Sequence, residues 1–214
     1  AALYLCCFKS LMKAGRYKNL GWFARHPKWY ELGLVLLATL RREAARSVGT
    51  HNRKVLDIAC GTGGLSYELV KLQHEVTGID LDGDMLKQAA RKTDPNLDLC
   101  FVHGDAIKLP FADHSYDAAT MAFAMHDVPY EIGVLILRES RRVLAPQGEI
   151  TIIDYNEPKK NLLAGVLFLV ASLYESPNYS LFVKRGLDEY LQAADMVVRR
   201  RFTIFGAVQV VTCG

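Results

Sequence analysis

The sequence predicts an α/β fold: a mostly parallel sheet of seven strands with an antiparallel C-terminal strand and helices on both faces. Three observations lead there. Strand-like and helix-like segments alternate from about residue 53 to residue 158. The strand segments are nearly continuous in apolar character, as in strands buried on both sides. The C-terminal run "MVVRRRFTIFGAVQVVTCG" holds two strand-like segments joined through Gly206 with no helix between them, which makes an antiparallel pair.

The elements follow in order. "WYELGLVLLATLRREAARS", Trp29 to Ser47, places apolar residues at helical spacing and is predicted to be a helix. "KVLDIAC" is a strand, then a glycine turn and a helix from about Gly63 to Leu72. "HEVTGID" is a second strand, and "DGDMLKQAARK" a second helix of this core, with Asp82 as its cap. "LDLCFVHGD" and "YDAATMAFA" supply strands three and four, the latter over Tyr116 to Ala124. A helix over Glu131 to Leu144 follows, and "PQG" turns the chain into strand five, "EITIIDYNEP". Right-handed crossovers then put a ligand at the carboxyl ends of the first strands.

Composition excludes more than it selects. At 214 residues, half of them hydrophobic and 23% charged, the chain suits one globular domain. A net charge of +3 makes no argument for nucleic acid, and the runs around Arg42 and Arg199–Arg201 read as solvated faces. Five cysteines, with Cys6 and Cys7 adjacent, show no metal-type pairing and fit a reduced, cytoplasmic protein. The opening "AALYLCCF" is too short for a secretory core, and the missing initiator Met suggests a processed or shortened chain. "NLLAGVLFLVASLY", Asn161 to Tyr174, falls short of the roughly 20 residues that span a bilayer, so a buried helix or a lid over an apolar pocket is expected. Peripheral membrane contact and oligomeric state stay open.

The ligand is read from the turn "ACGTGG". Ala59, Gly61, Gly63 and Gly64 let the backbone approach a ligand closely. The turn lacks the ending of a phosphate-binding P-loop, and alone it is a weak dinucleotide signal. Asp80, ending strand two, has two oxygens to accept a ribose diol, and the competing role, capping the next helix, suits Asp82 better. Asp57 sits where a carboxylate organises the glycine loop and faces a cationic amino group, which is unhelpful beside a pyrophosphate. Asp105, ending strand three, can accept from an adenine amino group while Ala106 offers a backbone amide.

Together "VLDIACGTGG", "VTGIDLDGDML", "GDAIKLPFADHSYDAATMAFAMHDV" and "LRESRRVLAPQGEITIIDYNEP" resemble the class I S-adenosylmethionine-dependent methyltransferases. The chain is most similar to the small-molecule branch that includes quinone-biosynthesis C-methyltransferases. The resemblance covers about Arg53 to Pro158 and implies a Rossmann-like sheet with S-adenosylmethionine as cofactor and S-adenosylhomocysteine as product. It implies that Asp57, Ala59, Cys60, Gly61 and Gly63 hold the methionine moiety and that Asp80 takes the ribose. It places Leu81 and Met85 beside ribose or adenine, Gly104, Asp105 and Ala106 at the adenine, and Ala122 or Phe123 near the sulfonium. Ala59 departs from the glycine of many relatives, a methyl group expected to be tolerated. The implied layout is one domain: an N-terminal helical substrate-side segment (1–50), the cofactor core (53–158), a helical insert or lid (159–192) and a closing strand pair (195–214).

A small, apolar or aromatic acceptor such as a quinone- or lipid-like precursor is expected. Tyr17, Trp22, Tyr30, Tyr174 and Tyr179 are its candidate contacts, against the alternative that these rings only pack on the sheet. His126 in "MAFAMHDVP" is the candidate general base, since histidine's ordinary pKa of about 6.5 suits proton work. Its alternative role is to shape the cofactor pocket. Other readings remain: a macromolecular acceptor, or a non-catalytic scaffold or sensor that keeps the cofactor site. A nicotinamide oxidoreductase fits the first two motifs and fails on Asp57, Asp105 and the antiparallel ending.

Overall fold

The computed structural model describes residues 38–49, 52–91, 93–156, 176–204 and 206–214. The helix expected over Trp29–Ser47 is present over 38–47 (α1), and its earlier part lies outside the described residues. Five strands follow in parallel: β1 (Lys54–Ile58), β2 (Glu75–Asp80), β3 (Leu99–His103), β4 (Tyr116–Ala122) and β5 (Leu144–Tyr155). Between and after them lie the helices α2 (Gly64–Val70), α3 (Gly83–Ala90), α4 (Tyr130–Val143), α5 (Pro177–Arg185) and α6 (Leu187–Ala193). The chain ends in β6 (Val198–Ile204) and β7 (Val208–Cys213).

The seven strands form one sheet in the order β3-β2-β1-β4-β5-β7-β6. β7 inserts between β5 and β6 and pairs antiparallel with both, so it alone reverses direction. Alternating side chains feed two cores. Val55, Val76, Ala118, Ile153 and Val210 pack toward α1 and α2, with Ala44, Ala45, Leu65 and Leu69. Leu56, Ile79, Ala119, Ile152 and Val211 face the opposite way, toward Leu137 of α4, Phe182 of α5 and Tyr190 of α6. Each fully buried aliphatic or aromatic side chain contributes roughly 1.5–3 kcal/mol. This two-sided burial is why the strand segments read as apolar runs instead of alternating patterns.

Sheet order reverses between β1 and β4, and in folds of this kind such a reversal is where a ligand crevice opens at the strands' carboxyl ends. The β3–β4 loop that borders it is tied down by Arg142. Its guanidinium donates to the Leu109 and Phe111 carbonyls at 3.0 and 2.9 Å and to Glu139 and Asp113.

Several boundaries differ from the sequence reading by one or two residues, and two of them have a visible cause. β4 stops at Ala122 instead of Ala124, because Phe123 takes φ +53°, outside any strand geometry. β5 begins at Leu144, before the expected Pro146–Gly148 turn. Leu144 already pairs with Tyr116, and a register shift to the Ala118–Glu149 pair absorbs the turn within the strand. The arginine run is the outer strand β6, exposed along nearly its whole length. Charge on an edge strand opposes edge-to-edge association. Among the described residues no helix is long and apolar enough to cross a membrane.

Gly78 of β2 carries a packing constraint that leads to the site. A Cβ there would lie 2.6 and 2.7 Å from the Phe101 ring and 2.9 Å from the Cys60 sulfur. Phe101 also closes to 2.7 Å of the Cβ position on Gly63, so this ring is wedged beneath the glycine turn. Gly78→Ala is expected to destabilise the fold by about 1–3 kcal/mol through overpacking. Urea denaturation should show that penalty reduced in a Phe101→Ala background, with the close Cys60 sulfur left to account for the rest.

Candidate functional site

The turn after β1 is a left-handed one. Ala59, Gly61 and Gly63 adopt φ of +54°, +54° and +77° within five residues. Glycine reaches this region freely, whereas for Ala59 the Cβ costs about 1–2 kcal/mol. The turn is held from outside by Asp80. Its Oδ2 accepts from the Gly61 amide at 2.7 Å, its Oδ1 accepts from the Asp82 amide at 2.8 Å, and its carbonyl accepts from the Gly104 amide at 3.0 Å.

Asp82, and not Asp80, caps α3, accepting from the Asp84 and Met85 amides at 2.8 and 3.1 Å. Asp80 is thereby left half-buried at the crevice with further lone pairs on both oxygens. Leu81, 38% exposed, stands beside it, its carbonyl 2.9 Å from the ring nitrogen of His103. Met85, Gly104, Asp105 and Ala106 are half-buried around the same rim. Asp105 accepts from the Ile107 amide at 3.1 Å, which fixes its carboxylate at the end of β3.

Asp57 lies deeper than the sequence suggests. It is 1% exposed, with one oxygen accepting from the Ser66 hydroxyl at 2.6 Å and the other from the Thr120 hydroxyl at 2.8 Å. It therefore ties β1 to α2 and β4 from below the turn. Cys60, next along, has its thiol pushed well above the usual range by burial and by the neighbouring Asp57 and Asp80, so it stays a neutral thiol.

Beyond β4 the site changes character. The strained Phe123 packs edge-on against Tyr155 at 5.6 Å, with Ala122 half-buried beside it. A 3₁₀ turn over Met125–Asp127 then sits on Asp154 of β5. One Asp154 oxygen accepts from the Met125 and His126 amides at 2.9 and 3.3 Å, and the other lies 2.7 Å from His126 Nδ1. Asp154 is 0% exposed and His126 3%. A carboxylate accepting amides can only accept from the ring too, so Nδ1 carries a hydrogen. The His126 ring is boxed by Tyr155, Tyr179 and Phe182 at 4.8, 5.9 and 6.5 Å. α5 is latched over this turn: the Ser176 hydroxyl donates to the His126 carbonyl and Asn178 to the Asp127 carbonyl.

The structure thus brings together Asp57, Ala59, Cys60, Gly61, Gly63, Asp80, Leu81, Met85, Gly104, Asp105 and Ala106 along the ends of β1 to β3, with Ala122, Phe123 and His126 after β4. Tyr179 is buried against His126 and Tyr155. Tyr17, Trp22, Tyr30 and Tyr174 lie outside the described residues. Sequence reasoning passed over Asp154, Thr120, Ser66 and Phe101. Only Asp154 left a signal, an acid inside the apolar run "ITIIDY".

Residues 55–148 match the model of a methyltransferase domain. A demethylmenaquinone methyltransferase of Staphylococcus aureus is 33% identical over 150 residues, 68% of this chain. The chain belongs to the class I S-adenosylmethionine-dependent methyltransferases. It spans 57% of the length of the Staphylococcus aureus relative. Among solved structures, a methyltransferase from Aquifex aeolicus superposes with a TM-score of 0.63 at 20% identity, covering 81% of this chain and 88% of that one. The [4+2]-cyclase SpnF superposes equally well, with a TM-score of 0.63 at 18% identity over 83% of this chain and 79% of its own. The residues present fit the family's cofactor. Among the described residues, a Cβ placed on Gly61 would meet nothing within 4 Å, and the Asp80 carboxylate borders that space.

Asp57 makes a pH-dependent contribution. Burial raises its carboxyl from 3.8 to about 6, against the pull of the Ser66 and Thr120 hydroxyls and of Arg41. A raised folded-state pKa stabilises the fold below about pH 4, and that contribution, about 3 kcal/mol, is lost as the pH rises through 6. Asp57→Asn, neutral at every pH, is expected to lack that loss. Thermal denaturation should show its Tm rising relative to the parent chain between pH 4 and 7.

Proposed function

We propose that the chain transfers a methyl group from S-adenosylmethionine to a small apolar or aromatic acceptor of the quinone- or lipid-like kind. The observation that carries the cofactor half is the open left-handed turn at Gly61 bordered by Asp80, with Asp57 beneath it and Asp105 along the same rim. In this reading the turn 59–63 and Asp57 hold the methionine moiety, and Asp80 accepts the ribose hydroxyls. Leu81 and Met85 flank ribose and adenine, and Gly104, Asp105 and Ala106 receive the adenine edge. The acceptor half is supported by the aromatic surroundings after β4, namely Phe123, Tyr155 and Tyr179, and by the demethylmenaquinone acceptor in the relative's name.

The cofactor supplies a methyl group already activated on a positively charged sulfur. The chain's own task is to orient the acceptor and exclude water. Orientation alone can contribute on the order of 7–11 kcal/mol. α5, latched onto the turn after β4, closes that side with Tyr179 and Phe182. His126 is the group we assign to proton removal. Asp154 orients the ring through Nδ1, and Nε2, 3.7 Å from the Asp127 carboxylate, is the nitrogen that would take the proton.

Calorimetric titration with S-adenosylmethionine, S-adenosylhomocysteine and NAD tests the cofactor reading. Binding of the first two with NAD silent supports it, and binding of NAD alone overturns it. Asp80→Ala should weaken S-adenosylmethionine binding by about 1.5–3 kcal/mol, and unchanged affinity would remove the ribose assignment. With a quinol acceptor, His126→Ala should lower turnover roughly 10²–10⁴-fold at unchanged cofactor affinity. A matching loss of affinity would make His126 a wall of the pocket. The second reading is a chain that keeps the cofactor site as a non-catalytic scaffold or sensor. Tight cofactor binding without methyl transfer to any quinol or lipid-like acceptor would favour it.

A further inference from the structure

α1 lies outside the matched residues 55–148, yet it brings a cation to the glycine turn. The Arg41 guanidinium fills the space over Gly64: a Cβ there would lie 2.6 Å from Cζ, 2.6 Å from Nη1 and 2.8 Å from Nε. Gly64 directly follows the left-handed turn, so the guanidinium stands at the end of it that Gly63 occupies. Arg41 is half-buried, and no carboxylate among the described residues forms an ion pair with it. Its charge is felt by Asp57 below the turn.

We propose that Arg41 binds the α-carboxylate of S-adenosylmethionine, so that α1 completes the cofactor site. The inference rests on the reading that the chain binds this cofactor. The methionine end of that molecule carries a carboxylate, and the Arg41 guanidinium beside the turn is the cation that would meet it. A guanidinium presents a planar fork of donors that fits a carboxylate with two parallel hydrogen bonds. Glycine at position 64 then has a specific role: any side chain would take the volume the guanidinium uses. The segment 1–50, expected to serve the acceptor, would in its last helix serve the cofactor.

The test compares S-adenosylmethionine with its decarboxylated analogue by calorimetry on the parent chain, Arg41→Met, Arg41→Lys and Gly64→Ala. The parent should prefer the carboxylate-bearing ligand. Arg41→Met should bind S-adenosylmethionine roughly 10- to 100-fold more weakly and the analogue no more weakly than the parent does. Arg41→Lys should recover part of the loss, since a point charge replaces the fork. Gly64→Ala, which only displaces the flexible guanidinium, should move affinity in the same direction as Arg41→Met. Equal losses for both ligands, or no loss, would overturn the assignment and point Arg41 to Asp57 or to an anionic acceptor. A parent chain that fails to bind S-adenosylmethionine at all would overturn the cofactor reading and this inference with it. Loss of preference in Arg41→Met with a tight-binding parent isolates Arg41.

Discussion

Asp80 is the joint on which the crevice depends. Its carboxylate holds the Gly61 amide with one oxygen and the Asp82 amide with the other, while its carbonyl holds the Gly104 amide. Three loops, those following β1, β2 and β3, are therefore referenced to one residue. A charged acceptor on a backbone amide makes a stronger bond than a neutral one, which suits a turn whose left-handed residues would otherwise open to water. The same residue borders the space over Gly61, so holding the loop and meeting a ligand fall to one side chain. Asp82 makes this feasible by taking over the helix cap.

Beneath that joint, a second acid works in the opposite regime. Asp57 is buried, and its two hydroxyl donors offset only part of the cost of burial, which is why its carboxyl titrates near 6 and not near 4. Arg41 offsets another part from above. Buried acid, neutral thiol at Cys60 and half-buried cation thus lie within one short stretch of backbone. The Phe101 ring, pressed against Gly63 and Gly78, keeps that stretch from sinking into the sheet.

The sequence made the frame legible because its signals are periodic or compositional. Buried strands read as apolar runs, Asp82 reads as a cap, and the absence of a helix around Gly206 reads as an antiparallel end. The acids Asp57, Asp80 and Asp105 were legible because each lies at or just beyond the carboxyl end of a strand. What stayed hidden depends on tertiary register. Thr120 reaches Asp57 only because β4 pairs with β1 in the register that sets Thr120 opposite it. Phe101 meets Gly78 through the β2–β3 pairing. Asp154 meets His126 because β4 ends in a left-handed residue, which no propensity assigns to phenylalanine. The helix at 38–47 read as a plain amphipathic element, and nothing in its spacing singled out Arg41.

The two cores divide the labour at the crevice. Groups assigned to the cofactor sit on the α1–α2 side or along the rim: Asp57 with Ser66, the turn, Arg41 over Gly64. Groups assigned to the acceptor sit on the α4–α5–α6 side: His126 with Asp154, Tyr155, Tyr179 and Phe182. The division is not complete: Phe123 packs on the α1–α2 core and Ala106 on the opposite one, both beyond the strand ends where the order reverses between β1 and β4. On the proposed reading, changes in α5 or in the turn after β4 would reach the acceptor without passing through Asp80 or the glycine turn. The same fold is found in the Aquifex aeolicus methyltransferase and in the SpnF cyclase, so the fold by itself does not set the chemistry. If the proposed acceptor side is correct, specificity would rest on the hydrogen bonds that seat α5, from Ser176 and Asn178 to the His126 and Asp127 carbonyls, more than on the acids that gave the fold away.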